Sequence, residues 1–171
     1  MTAMEKADPI DKSAWGPGPW QDEPDRLEFE HAGFPCLIVR NDLFGNLCGY
    51  VGMPPGHPWH GQSLSDVDVD VHGGLTFASG CSGHICHVPK PGQPDDVYWI
   101  GFDCGHGGID VMPGHAAMLT KALPQEMRIS IENGMALLYG YRETYKDIAY
   151  VRQECERLAE QARARAESPP P

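Results

Sequence analysis

Phe34-Pro-Cys-Leu-Ile-Val-Arg40 and Leu47-Cys-Gly-Tyr-Val-Gly-Met53, joined by Asn41-Asp-Leu-Phe-Gly-Asn46, decide the fold. The outer segments are apolar, the inner six residues are turn formers, and the stretch reads as a β-hairpin. Just beyond it, Pro54-Pro-Gly-His-Pro-Trp-His-Gly61 is too rich in proline to pair in a sheet and reads as a loop. Val67-Asp-Val-Asp-Val71 then alternates strictly, the period of a half-buried strand. Its valines are expected to face the core, with Asp68, Asp70 and His72 sharing the other face. Residues 75–78 read as a short strand after the Gly73-Gly74 break, and Val97-Tyr-Trp-Ile-Gly-Phe102 as a further one ending at Asp103. Residues 128–131 and 135–139 flank Asn133-Gly134, a type I′ hairpin signal.

Two helices complete the pattern. Pro113, tolerated in a first turn, opens a short helix expected to run through Leu123. Ile148, Val151, Cys155, Leu158 and Ala162 recur at steps of three and four and place one apolar stripe on a helix over residues 143–166. The stripe packs most simply on the sheet. A dimer seam would be short for a coiled coil. The expected fold is a single α+β domain over residues 25–167, with a mixed, largely antiparallel sheet and the long C-terminal helix packed on it. Residues 1–24 form an extended arm, because Trp15-Gly-Pro-Gly-Pro-Trp20 blocks helix formation. Its two tryptophans either pin the arm to the body or ride on a flexible leader. Residues 168–171 read as a disordered tail.

A chain of 171 residues has the size of one domain, and its 41% hydrophobic and 22% charged residues exclude wholesale disorder. No apolar run is long enough to cross a bilayer, and residues 1–10 lack the basic and apolar regions of a secretory signal. A cytoplasmic setting with reduced thiols is expected. The net charge is −11, with eight acids against three bases in residues 1–30 and seven against one in residues 61–115. Such a surface repels long nucleic acid and anionic membrane. A metal cation would be favoured, and local donors can still hold a small ligand.

His72-Gly-Gly-Leu-Thr76 and His106-Gly-Gly-Ile-Asp110 repeat one pattern, His-Gly-Gly-apolar-polar, each after an expected strand and each with an aspartate upstream, Asp70 and Asp103. Paired glycines let a ligand approach the main chain, and their N–H groups can form an anion-binding nest. A histidine beside such a nest can move a proton, polarise an oxyanion or bind a metal. The expected pocket therefore holds His72, Asp103, His106 and Asp110, with Asp70 and Thr76 on its rim. The two loops converge if their strands run side by side in the same direction. Two mechanisms use these residues. In one, His72, His106 and Asp110 hold a divalent metal such as zinc and leave a position open for water. In the other, His72 or His106 is a general base oriented by Asp103 or Asp70, and Gly73, Gly74, Gly107 and Gly108 stabilise developing charge. Tight turns and capping histidines would produce the same pattern without any site.

Other motifs contribute less. The cysteines at 36, 48, 81, 86, 104 and 155 form no paired CxxC framework and read mainly as small buried hydrophobes. Cys81, His84, Cys86 and His87 lie within seven residues, so either a zinc knuckle or, on oxidation, a Cys81–Cys86 disulfide is open to them. Cys104 beside His106 is a candidate nucleophile, although a strand end favours a buried thiol. His57 and His60 read as loop packing, while Trp59 offers a stacking wall for a base or sugar ring. Asp66-Val-Asp-Val-Asp-Val71 lacks the glycine of an EF-hand, and there is no nucleophile elbow, P-loop or dinucleotide fingerprint.

Trp20-Gln-Asp-Glu-Pro-Asp25, Pro35-Cys-Leu-Ile-Val-Arg-Asn41, Leu47-Cys-Gly-Tyr-Val51, Val71-His-Gly-Gly-Leu-Thr76, Gly101-Phe-Asp-Cys-Gly-His106 and Tyr150-Val-Arg-Gln-Glu-Cys155 resemble a family of hypothetical proteins of bacteriophages, prophages and assorted bacteria. The resemblance runs from Trp20 to about Gln161. It implies an intracellular setting and a part in phage–host conflict, and it assigns no catalytic residue. Two function classes are expected on these grounds. One is a small enzyme that hydrolyses or otherwise processes a phosphate-bearing or nucleotide-like molecule. The other is a non-catalytic, anti-defence protein that sequesters a nucleotide-type signal, for which a symmetric homo-oligomer is one arrangement.

Overall fold

The computed structural model describes residues 9–87, 89–127 and 143–168. The Asn133-Gly134 hairpin, residues 1–8 of the arm and residues 169–171 of the expected tail lie outside the described residues. The elements are β1 (Arg26–His31), β2 (Phe34–Arg40), β3 (Leu47–Met53), β4 (Phe77–Ser79), β5 (Tyr98–Asp103), α1 (Pro113–Ala122) and α2 (Ile148–Glu167). The strands form one antiparallel sheet in the order β1-β2-β3-β5-β4, and the C-terminal helix packs on it. The fold is the single α+β domain expected from the sequence.

The β2–β3 hairpin forms as expected, with Cys36 opposite Val51 and Arg40 opposite Leu47. Its loop closes because the Asn41 side-chain oxygen accepts from Leu43 N and Phe44 N, at 3.0 and 2.8 Å. β1 was not expected from the sequence. It joins β2 through Ala32 and Gly33, both at positive φ (51° and 86°), and alanine gives no turn signal in that place.

Alternation along the strands divides the core. Ile38, Val51, Ile100, Phe102 and Cys104 face α2, where Val151, Cys155, Leu158 and Ala162 form the expected stripe, each fully buried. Burying each Leu or Val is worth about 1.5–3 kcal/mol, so this seam anchors the helix. Gly49 lets α2 come close: a Cβ there would stand 2.6 Å from Cys155 Sγ. Leu37, Val39, Tyr50, Val97 and Trp99 fill the opposite face.

Three expectations need correction. Residues 67–71 are not a strand; Val67 and Val71 are buried as the alternation requires, but the segment lies along α2. Its backbone is satisfied by helix side chains: Asp70 N donates to Gln161 Oε1 and Gln161 Nε2 donates to Asp70 O, both at 2.8 Å. The helix starts at Ile148 rather than near residue 143, because Asp147 caps it by accepting from Tyr150 N at 2.8 Å. The preceding residues are used elsewhere: Thr144 bridges Asp110, its N donating to Ile109 O and its O accepting from Val111 N. Finally, Cys81 and Cys86 are joined in a disulfide, so they are neither reduced thiols nor zinc ligands, and the Arg26 guanidinium holds that loop through His84 O and Cys86 O, both at 2.6 Å.

The arm is pinned by Trp20 and by a buried cation. Trp20 meets the Tyr145 ring edge-on at 5.1 Å. The Arg40 side chain, fully buried, donates to Asp25, Glu23, Gly45 O and the Tyr145 hydroxyl. Glu23 also accepts from Tyr145 at 2.5 Å and from Ile148 N at 2.9 Å, so one carboxylate ties the arm to the first turn of α2.

Candidate functional site

The two His-Gly-Gly loops meet, by a geometry other than the expected one. β4 and β5 are antiparallel, with Phe77 opposite Gly101. The beginning of β4 and the end of β5 therefore lie at the same end of the sheet. The first loop precedes β4 and the second follows β5, so both histidines arrive there, with ring centres 5.2 Å apart.

Asp110 organises the pair. Its Oδ2 accepts from His72 Nε2 at 2.9 Å, His106 Nδ1 at 2.9 Å and His106 N at 3.0 Å. The carboxylate is 1% exposed and its Oδ1 has no hydrogen-bond partner among the described residues; it faces the Lys146 ammonium at 3.5 Å. Burial alone would raise the Asp110 pKa, but the hydrogen bonds from His72 and His106 outweigh it and hold the carboxyl below its ordinary value. His72 is fixed from behind as well: Nδ1 lies 2.9 Å from the Tyr150 hydroxyl, and its backbone N donates to Glu154 Oε2 at 2.8 Å. Burial, then the Glu154 charge, push the Tyr150 phenol up, which keeps it protonated.

The first glycine of the first loop is required by close packing. Gly73 sits at φ +66°, and a Cβ there would lie 2.1 Å from His106 Cε1. The nests are partly filled by the chain itself. Gly74 N donates to Val71 O and Gly108 N to the Glu143 carboxylate, both at 3.0 Å. Glu143 thus occupies a donor that an incoming anion would use, while no bond to Gly73 N or Gly107 N is formed among the described residues.

His72, His106 and Asp110 are brought together. Asp103 is not with them, because alternation along β5 places Phe102 and Cys104 on the helix face and Asp103 on the other, opposite Cys48. Asp70 pairs with Arg157 at 2.7 Å on the outer side of α2. Thr76 is exposed, its N continuing the sheet to Gly101 O at 2.9 Å. Trp59 is no stacking wall: it is 5% exposed, in the core beside His57, whose Nε2 contacts Ala162 O, two turns along α2 from Glu154. Cys104 is 1% exposed and burial pushes its thiol well up, which disqualifies it as a nucleophile. Lys146, Tyr150 and Glu154 were missed. The available signal was a glutamate set within a buried helical stripe, four residues after a tyrosine.

The three residues offer one ligand atom each, all within 4.8 Å of one another. With ligand bonds of about 2.1 Å, tetrahedral donors stand about 3.4 Å apart. The 2.9 Å contacts to Asp110 need to open by only a few tenths of an ångström to admit an ion. His106 keeps 28% of its side chain exposed and leaves one side open. No protein-family model, curated protein or solved structure matches the chain. Among the described residues, no helix is long and apolar enough to cross a membrane.

Proposed function

We propose that the protein is a small hydrolase in which His72, His106 and Asp110 hold a divalent cation such as zinc, acting on a phosphate-bearing or nucleotide-like molecule. One observation carries this reading: two imidazoles and a buried carboxylate from separate loops converge on a single point that opens to solvent. Asp110 Oδ1 adds support: it is buried without a hydrogen bond and meets the Lys146 ammonium only at 3.5 Å, so it retains acceptor capacity for a cation. When bound there, the cation supplies Lewis acidity.

The chain's own residues do the rest. His72 Nε2 must be unprotonated to ligate, which moves the proton to Nδ1; the Tyr150 hydroxyl can donate or accept and so suits either tautomer. Glu154 holds the His72 backbone in place. Lys146, beside Asp110, offers positive charge to a substrate phosphate, with Gly73 N and Gly107 N as further donors. A phosphate would compete with Glu143 for Gly108 N. A role in phage–host conflict goes with this reading and rests on the sequence resemblance, while the Cys81–Cys86 disulfide runs against the reduced thiols expected of a cytoplasm.

The test is elemental analysis of the purified protein, then incubation with a nucleotide panel and chromatography after heating. A stoichiometric divalent ion and a cleaved nucleotide are expected. His106→Ala should lose both while remaining folded, with a melting temperature lowered by no more than the loss of its bond to Asp110 accounts for, about 2 kcal/mol. Nucleotide returned intact but protein-bound would replace hydrolysis with sequestration. Neither metal nor nucleotide bound would overturn both.

A further inference from the structure

We propose that the cavity between the β2–β3 loop, the end of β5 and α1 is a second binding site, for a small organic cation with a flat apolar body. This does not rest on the hydrolase reading. The cavity measures about 450 Å³, within the range of small-molecule sites. It lies on the sheet face away from His72 and His106, because Asp103, which lines it, stands opposite Cys48 on that face.

Its chemistry is that of an acceptor. Asp103 Oδ1 takes the Gly105 N–H at 2.9 Å, and its other oxygen has no partner among the described residues. Asn46, 4% exposed, also lines the cavity, and its side-chain oxygen is buried without a hydrogen-bond partner. A buried carbonyl left unpaired is costly and points to a missing donor. Asn46 and Asp103 meet on this wall: a Cβ on Gly105 would lie 3.0 Å from Asn46 Nδ2 and 3.1 Å from Asp103 Oδ1.

The rest of the wall suits a flat body. Phe44 and His115 meet edge to face at 5.5 Å, and Met112 adds a polarisable thioether. No Lys or Arg lines the cavity, so the Asp103 charge is unneutralised there. The chain carries −11 overall, which favours a cation at a distance as well. A phosphate or carboxylate ligand would meet the Asp103 charge with no lysine or arginine in the lining to offset it. Burial pushes the Cys48 thiol up to about 12, so it contributes contact rather than reactivity. An amidine or guanidine fits this set, with paired N–H donors for Asp103 and a further donor for Asn46.

The probe is benzamidine, titrated into the full-length protein by calorimetry beside benzamide and benzoate, its neutral and anionic analogues of like shape. Saturable benzamidine binding is expected, at least about tenfold tighter than benzamide, with none for benzoate. Asp103→Asn should weaken benzamidine by about tenfold or more, while His106→Ala leaves it unchanged. No saturation by about 10 mM benzamidine, or benzamide binding equally well, overturns the proposal. The three-ligand comparison on the native protein decides the question even if Asp103→Asn fails to fold.

Discussion

Gly73→Ala, compared with Gly74→Ala and Gly107→Ala, separates backbone strain from the packing that holds the histidine pair. Gly74 has φ +82° and open space around a new Cβ, so alanine there meets only the left-handed penalty, about 1 kcal/mol. Gly107 has neither a positive φ nor a near neighbour, and alanine should be close to neutral. Gly73 adds a collision to the strain. Its Cβ would sit 2.1 Å from His106 Cε1 and 2.2 Å from Nε2, whereas ordinary contact begins at 3.4 Å. The ring must withdraw by more than an ångström, which breaks the 2.9 Å bond from Nδ1 to Asp110. Losing a hydrogen bond to a charged group costs about 2 kcal/mol, so with strain included Gly73→Ala should lose about 3 kcal/mol. Zinc affinity should fall at least about a hundredfold, since one of three ligands is displaced. Urea denaturation and zinc titration of the three variants give both quantities. Should Gly73→Ala match Gly74→Ala in stability and in zinc affinity, the glycine does not position His106 and the site as described is wrong.

Three further predictions follow from burial. Arg40→Met removes the buried cation between Glu23 and Asp25, leaving Glu23 with Tyr145 and Ile148 N and Asp25 with Lys12, and should lower stability by about 3 kcal/mol in denaturant melts; a change under about 1 kcal/mol would mean the cluster is solvated. His57 has its pKa lowered, chiefly by burial, and its Nδ1 accepts from Trp59 N at 3.0 Å, so protonation is disfavoured in the folded state. The unfolded chain then binds more protons below its ordinary histidine pKa of about 6.5, and stability should drop as pH falls through that value toward the folded pKa. His57→Gln should flatten this slope in pH-resolved melts, and an unchanged slope would assign it elsewhere. Replacing Cys81 and Cys86 together by serine removes a short-loop cross-link and should cost about 2 kcal/mol, read as a lower urea midpoint. An unmoved midpoint would show that Arg26 alone holds the loop.

How much was legible depended on whether sequence pattern and local backbone agree. The β2–β3 hairpin and the α2 stripe were readable because apolar spacing, turn residues and length all point the same way. Residues 67–71 show the limit: their alternation records burial, and here burial comes from a helix rather than a ladder. The echoed His-Gly-Gly loops located the site, and Asp110 was among the residues named. Asp103 was misplaced because a strand end fixes position along the sheet, while its side-chain parity fixes the face. Tyr150 and Lys146 belong to a segment far away in sequence, and only the docking of α2 brings them to His72 and Asp110.

The Arg40 cluster also constrains how the chain can be made. Glu23, Asp25 and the guanidinium leave the ribosome well before Tyr145 and the helix whose first N–H Glu23 accepts, which follow more than 100 residues later. Until then the apolar face of the growing sheet, with Ile38, Val51, Ile100 and Phe102, has no α2 to cover it. The nascent chain must carry that apolar surface, and a buried-to-be cation lacking one partner, until residues 145–167 have been made. Truncation before residue 148 should leave a sticky fragment rather than a smaller folded protein.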